Sequence, residues 1–228
     1  MKMPKASRAP FVAREHEFEA QLGLPEHLPA GEHILWQGAP RWELMARQVF
    51  HADKAAVYFL AMLLWRFFGS LSDGASLNEA LASLTWLVPL FALGLGALLL
   101  LGWLSARTTV YTLTDRRVVM RVGIVLTIAY NLPLKRIEGA DLRPGSNGRG
   151  DIALTLEPAT RIAWLHLWPH ARPWRVVRPQ PMLRGLDNAA EVAGLLRKAW
   201  ADMNGAEALA RQPNAATSQH RQPALAGR

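Results

Sequence analysis

Residues 80–106 read ALASLTWLVPLFALGLGALLLLGWLSA and hold no charged side chain, whereas the flanks on both sides are rich in arginine. A helix rises about 1.5 Å per residue and a bilayer's hydrocarbon core is about 30 Å thick, so about 20 apolar residues suffice to cross it. The stretch 81–104 is long enough. Pro89, Gly94, Gly96 and Gly102 would be poor choices in a water-soluble helix but are common in membrane helices, where small residues let neighbours approach. Ala92 and Gly96, four apart, form one such face, suited to a homo-oligomer.

Upstream, residues 55–72 are apolar but shorter and carry Arg66 near the far end. Tyr58, Trp65, Phe67 and Phe68 supply interfacial aromatics, and Arg66 is close enough to the exit to snorkel toward headgroups. The expectation is a transmembrane hairpin over 55–106; the alternative is that the first segment is a buried or re-entrant helix. Arg41, Arg47 and Lys54 precede the hairpin and Arg107, Arg116, Arg117 and Arg121 follow it, while the connection around Asp73 and Glu79 has neither lysine nor arginine. The positive-inside rule then predicts a multi-pass protein with both termini cytoplasmic. Trp42, Met45, Ala46 and Val49 recur at helical spacing, which fits an interfacial helix or one packed on the rest of the protein.

Downstream the period changes. Val110–Thr114 and Val118–Val122 flank Asp115-Arg116 as a β-hairpin, and 124–130, 136–142 and 151–157 follow as strands, with turn chemistry at PGSNGRG (144–150). Residues 161–168 are expected as another strand ended by Pro169. Asn188 with Glu191 opens a helix whose apolar stripe is Val192, Leu195, Leu196 and Ala199. Glu32–Trp36 is one more strand, cut off from the others by the hairpin. The fold class is therefore an α+β membrane protein: a largely irregular segment 1–30, a strand and short helix over 31–54, the hairpin, a small barrel-like sheet with a closing helix over 107–204, and a disordered tail over 205–228.

The N-terminus has Lys2, Lys5 and Arg8 but no apolar core before Glu15, Glu17 and Glu19, so it is not expected to be a secretory signal. No cysteine is present, which removes thiolate metal sites and cysteine nucleophiles. Between Arg107 and Asn204, 15 Lys and Arg stand against 8 Asp and Glu, a balance of +7 that suits an anionic leaflet. Nucleic acid fits the charge but not the tether, and no motif for it occurs. Nucleophile elbows, phosphate-cradling glycine loops and paired metal ligands are likewise missing, and Asp115, Asp141 and Asp151 read as turn residues, so neither an enzyme nor a cofactor is expected.

The densest cluster of functional residue types is Trp164, His166, Trp168, His170, Arg172, Trp174 and Arg175. Ligation of a metal or tetrapyrrole is disfavoured, because Pro169 breaks the histidine spacing and no carboxylate lies nearby in sequence. Tryptophan and arginine dominate protein contact sites and suit the membrane interface. Partner or membrane contact is expected, against a plainer reading in which Trp164 and Trp168 are core and the arginines a solvated rim.

The segments GEHILWQGAP (31–40), YTLTDRRVVMRVG (111–123), NLPLKRIEGADL (131–142) and GDIALTL (150–156) resemble the bacterial pleckstrin-homology-like domain of membrane proteins. EHEFE (15–19), LWPHARPWR (167–175) and PQPMLRGL (179–186) are further similar to the photosynthetic-complex assembly proteins of the PuhB family, over about residues 15–200. The resemblance implies a non-enzymatic factor in the cytoplasmic membrane of a purple bacterium. It would contact reaction-centre subunits during assembly, with a secondary influence on the core light-harvesting complex. A general lipid- or protein-binding module of envelope homeostasis is the competing reading.

Overall fold

β-Branched and aromatic residues favour pleated structure, and those after Thr108, joined by one strand before the hairpin, build two antiparallel sheets in the computed structural model, which describes residue 24 and residues 28–124, 126–160 and 162–211. The first has the order β1-β2-β3-β4, formed by β1 (Ile34–Gly38), β2 (Val110–Thr114), β3 (Arg117–Val122) and β4 (Ile128–Pro133). The second has the order β5-β6-β7, formed by β5 (Ile137–Pro144), β6 (Gly150–Leu156) and β7 (Met182–Leu186). β1 lies directly beside β2, with Ile34 opposite Thr114 and Gly38 opposite Tyr111. The apolar hairpin is thus an insertion between two neighbouring strands.

Alternate residues of each strand point inward. Tyr111 and Leu113, Val118, Met120 and Val122, Ile152 and Leu154 meet in one core with Leu132, Leu134, Leu183 and Leu186. The helix α6 (Ala189–Arg211) closes it with Ala189, Val192, Leu196 and Ala199, spaced 3, 4 and 3 as a helix face requires. Leu195, expected in that stripe, is only partly buried, and Trp200 donates Nε1–H to the Ile137 carbonyl at 3.0 Å. α6 runs past Gly205 to Arg211, so the tail expected from 205 begins as helix; residues 212–228, like 1–23, lie outside the described residues.

Two helices are long and apolar enough to cross a membrane. The first is α2 (Ala52–Ser72). The second stretch is not one straight helix from 81, as expected, but α3 (Leu77–Ala82), a turn over 83–86, and α4 (Leu87–Thr108). A capping box starts α3: Ser76 N–H donates to Glu79 Oε2 at 2.8 Å, and Glu79 N–H to Ser76 Oγ at 3.4 Å. Pro89 explains where α4 begins, since a proline is tolerated in the first turn, whose N–H groups lack intrahelical partners, but not deeper. α2 and α4 meet through stacked Phe59 and Phe91, centroids 4.6 Å apart, beside Gly94.

The expected helix at 42–49 is a short α1 (Trp42–Leu44) continuing into a π-helical turn, Met45–Val49. Met45 and Ala46 are buried, and a Cβ on Gly102 would come within 2.8 Å of the Ala46 Cα and Cβ. The segment is therefore packed on α4.

Two expected strands are corrected. The run 124–130 contains a turn, and its strand begins only at Ile128. Residues 162–168 form no strand: Trp164–Leu167 is a single helical turn, α5, and residues 162–181 form a strap leading into β7, tied to the second sheet by the Leu154 N–H donating to the Pro181 carbonyl at 2.8 Å. Pro169, Pro173, Pro179 and Pro181 deprive this segment of the N–H groups that a ladder needs. The same prolines concealed β7, which starts directly after Pro181, a position that strands permit.

Candidate functional site

Thr109, the first residue after α4, donates its hydroxyl proton to the Ser105 carbonyl at 2.6 Å. A carbonyl only accepts, so that proton is committed. His170 Nε2, 3.1 Å from Thr109 Oγ1, must then be the donor, which leaves Nδ1 to accept from the Tyr111 hydroxyl at 2.7 Å. The Tyr111 oxygen in turn accepts the Arg184 backbone N–H at 3.2 Å. One direction of donation satisfies every member, and it fixes His170 as the neutral Nε2–H tautomer. Burial, reinforced by the Arg184 guanidinium, pulls the His170 pKa down to about 3, and burial pushes Tyr111 up.

Arg184 extends the chain. Its side chain is buried, and Nη2 donates to the Ala171 carbonyl at 2.7 Å. Burial lowers its pKa while the neighbouring Asp151 carboxylate opposes the shift. Asp151, expected as a turn residue, is a buried member of β6 whose Oδ1 accepts the Gly185 N–H at 2.8 Å. The exit of α4, β2, the strap, β7 and β6 are thereby joined by buried polar contacts. Close to the junction in sequence, Trp168 meets Phe50, just before α2, edge-on at 5.7 Å, and the Arg107 guanidinium lies 5.1 Å over the Trp103 ring.

The strap carries an exposed arm. Its base is tied by the Ala171–Pro181 bridge and by the Arg172 N–H donating to the Gln180 carbonyl at 2.9 Å. Arg172 Nη1 also reaches Asp141 Oδ2 at 2.6 Å, and Gln180 Nε2 donates to Thr155 Oγ1 at 3.1 Å. At the tip Trp174 is 97% exposed with φ of +64°, and Val177 is 95% exposed, between the exposed Arg175 and Arg178. Few non-glycine residues occupy that backbone region without a compensating reason.

The expected contact residues separate into distinct environments. His170 is corrected: it is buried and both ring nitrogens are engaged, so it is an internal tie and not a contact residue. His166 is exposed, Trp168 is half-exposed beside Phe50, and Trp164 is half-buried with its Nε1 unpartnered. Trp174 and Arg175 share the arm whose base Arg172 fixes. Arg66, Ala92 and Gly96 are exposed on the hairpin, and nothing lies within 4 Å of a Cβ built on Gly96. The α2–α4 contact therefore uses Gly94 and not the Ala92–Gly96 face. Among the described residues no three His, Asp or Glu side chains gather as metal ligands.

At the other end of β2, Glu32 is buried and paired with Arg117 through two 2.7 Å contacts, while Thr114 Oγ1 donates to it at 2.7 Å. These bonds, Arg117 foremost, hold the Glu32 carboxyl below its usual range despite burial. Glu32, Arg116, Arg117, Asn131, Lys135 and Met203 line an open hollow of about 540 Å³ there.

The chain matches the bacterial PH domain family over residues 59–200. A protein of Rhodobacter capsulatus, described as an uncharacterized 23.7 kDa protein in the puhA 5′ region, is 36% identical over 189 residues, covering 81% of this chain and 87% of that protein. No solved structure matches significantly.

Proposed function

The chain belongs to the bacterial PH domain family, and from that premise we propose that it is a non-enzymatic, membrane-anchored assembly factor for the photosynthetic reaction centre, with an effect on the core light-harvesting complex. The domain family is generally one of non-catalytic modules. The sequence motifs similar to PuhB-type assembly proteins favour the specific role, as does the relative's description by the puhA 5′ region. Both apolar helices cross the cytoplasmic membrane in this reading. The pairing of β1 with β2 favours an even number of crossings, because it requires both ends of the hairpin on one side. Arginines at those ends favour the cytoplasmic side, where the basic domain faces an anionic leaflet and reaction-centre subunits.

The arm carries the reading. A backbone tied at Arg172 and Gln180 presents an almost wholly exposed Trp174 between arginines, the composition of a contact hot spot held ready before binding. Deleting the gene and recording the near-infrared absorption of membranes tests the role. Reduced reaction-centre yield is expected, and an unchanged yield would sink it.

The second reading, a general lipid- or protein-binding module of envelope homeostasis, draws on the basic hollow. That hollow opens at the end of β2 away from α4, and Glu32 already neutralises Arg117 within it. Headgroup-selective, salt-insensitive binding of the full chain to vesicles would favour this reading.

A further inference from the structure

Turns between strands are ordinarily built from Gly, Asn, Asp, Pro and Ser. The β3–β4 connection departs from this: residues 123–128 read GIVLTI. Leu126 is 80% exposed and Ile128 is also exposed, although the core beneath them is complete. The chain doubles back closely here, since Gly123 has φ of +129° and a Cβ there would overlap the Leu126 carbonyl.

The register places Leu126 at one end of the sheet. Arg121 lies opposite Val110, and α4 ends at Thr108, so the end of β3 is one strand spacing, about 4.8 Å, from the exit of the hairpin. The turn hangs beside the last turn of α4, at the same end of the sheet as the aromatic pair Phe50 and Trp168. Arg121 at its base and Arg107 on α4 add positive charge where phosphates would lie.

We infer that the β3–β4 connection, through the exposed Leu126, enters the headgroup–acyl boundary of the bilayer that the hairpin crosses, and so fixes the domain's tilt as a third attachment. The inference rests on the proposed membrane placement of α2 and α4. Continuity with the apolar hairpin and the flanking arginines select a lipid surface over a protein partner. Apolar elements at such boundaries sit about 5–10 Å deep.

The natural chain has no cysteine, so one introduced thiol reports one site. Leu126→Cys, Arg116→Cys at the far β2–β3 turn and Leu60→Cys on the exposed face of α2 are each labelled with an environment-sensitive dye. The full-length protein is reconstituted in phosphatidylcholine–phosphatidylglycerol vesicles. At 126 a blue-shifted emission is expected, with quenching by headgroup-proximal spin-labelled lipid several-fold stronger than at 116 and little quenching by iodide. At 60, a deep acyl-chain quencher should dominate. Iodide quenching at 126 equal to that at 116, with residue 60 in lipid, overturns the inference and leaves the anchor standing. Shielding of 126 from both quenchers also overturns it, assigning the turn to contact with a second copy. Failure of lipid quenching at 60 removes the anchor and the inference together.

Discussion

The Tyr111 hydroxyl donates to His170 Nδ1 at 2.7 Å while its oxygen accepts the Arg184 N–H, so one buried atom joins β2, the strap and β7. Tyr111→Phe keeps the ring but leaves a buried ring nitrogen and a buried N–H without partners. Each such loss costs about 1–3 kcal/mol. Tryptophan-monitored unfolding in detergent should show a destabilisation of that order, and an unchanged midpoint would mean that this buried tie contributes nothing to stability.

His170 also sets a pH dependence. Its pKa falls from an ordinary 6.5 to about 3 on folding. Between these values the unfolded chain binds a proton that the folded chain refuses, so stability rises with pH across this window and is complete above it. The slope from this group approaches about 1.4 kcal/mol per pH unit. Glu32, whose ordinary value is 4.5 and whose folded value is lower, adds a further loss only at more acidic pH. Melting curves between pH 7 and 5 therefore isolate the histidine, and His170→Gln should flatten them.

Two glycines of α4 should behave oppositely. Gly102→Ala drives a methyl into Ala46 and should destabilise by about 1–3 kcal/mol, as overpacking does. At Gly96 a Cβ meets no described atom within 4 Å, so Gly96→Ala should not lower the melting midpoint. If copies associate through the Ala92–Gly96 face, light scattering in detergent will record a smaller particle for Ala92→Leu with Gly96→Leu. An identical particle would reject that face.

Trp174→Ala separates contact from folding. A side chain 97% exposed contributes little packing, so stability should move by less than about 0.5 kcal/mol. Reaction-centre yield in membranes should fall nonetheless. A fall in yield matched by a fall in stability would mean that the arm's role is structural.

Much of the architecture was legible because burial imposes a period on the sequence. The uncharged run before Arg107 records a long apolar helix, and the stripe of α6 records the face that closes the core, whereas β6 is buried at every position from Gly150 to Leu154. What escaped detection depended on partners distant in sequence. Glu32 and Arg117 are separated by the whole hairpin, and nothing local announces that they pair. His170 stood among tryptophans and arginines and resembled them in type, yet Thr109 and Tyr111 hold it inside. Arg184, a charge within the apolar strand MLRGL, was the visible hint of a buried polar network. In the GIVLTI run, hydrophobicity suggested a strand where Gly123 makes a turn, since a side chain exposed to lipid and one buried in protein have the same chemistry.

The insertion of the hairpin between β1 and β2 has a consequence for biogenesis. A ribosome delivers β1 long before its neighbour, and residues 39–109 must be threaded in between. Pairing of α2 with α4 brings the severed strand ends back together, which lowers the closure entropy of so large a loop. A nascent chain in which only one helix crossed would leave β1 and β2 in different compartments, unable to hydrogen-bond. On the proposed membrane placement of α2 and α4, completion of the sheet is thus a parity check on insertion, and a mis-threaded copy would present an unfinished edge for proteolysis.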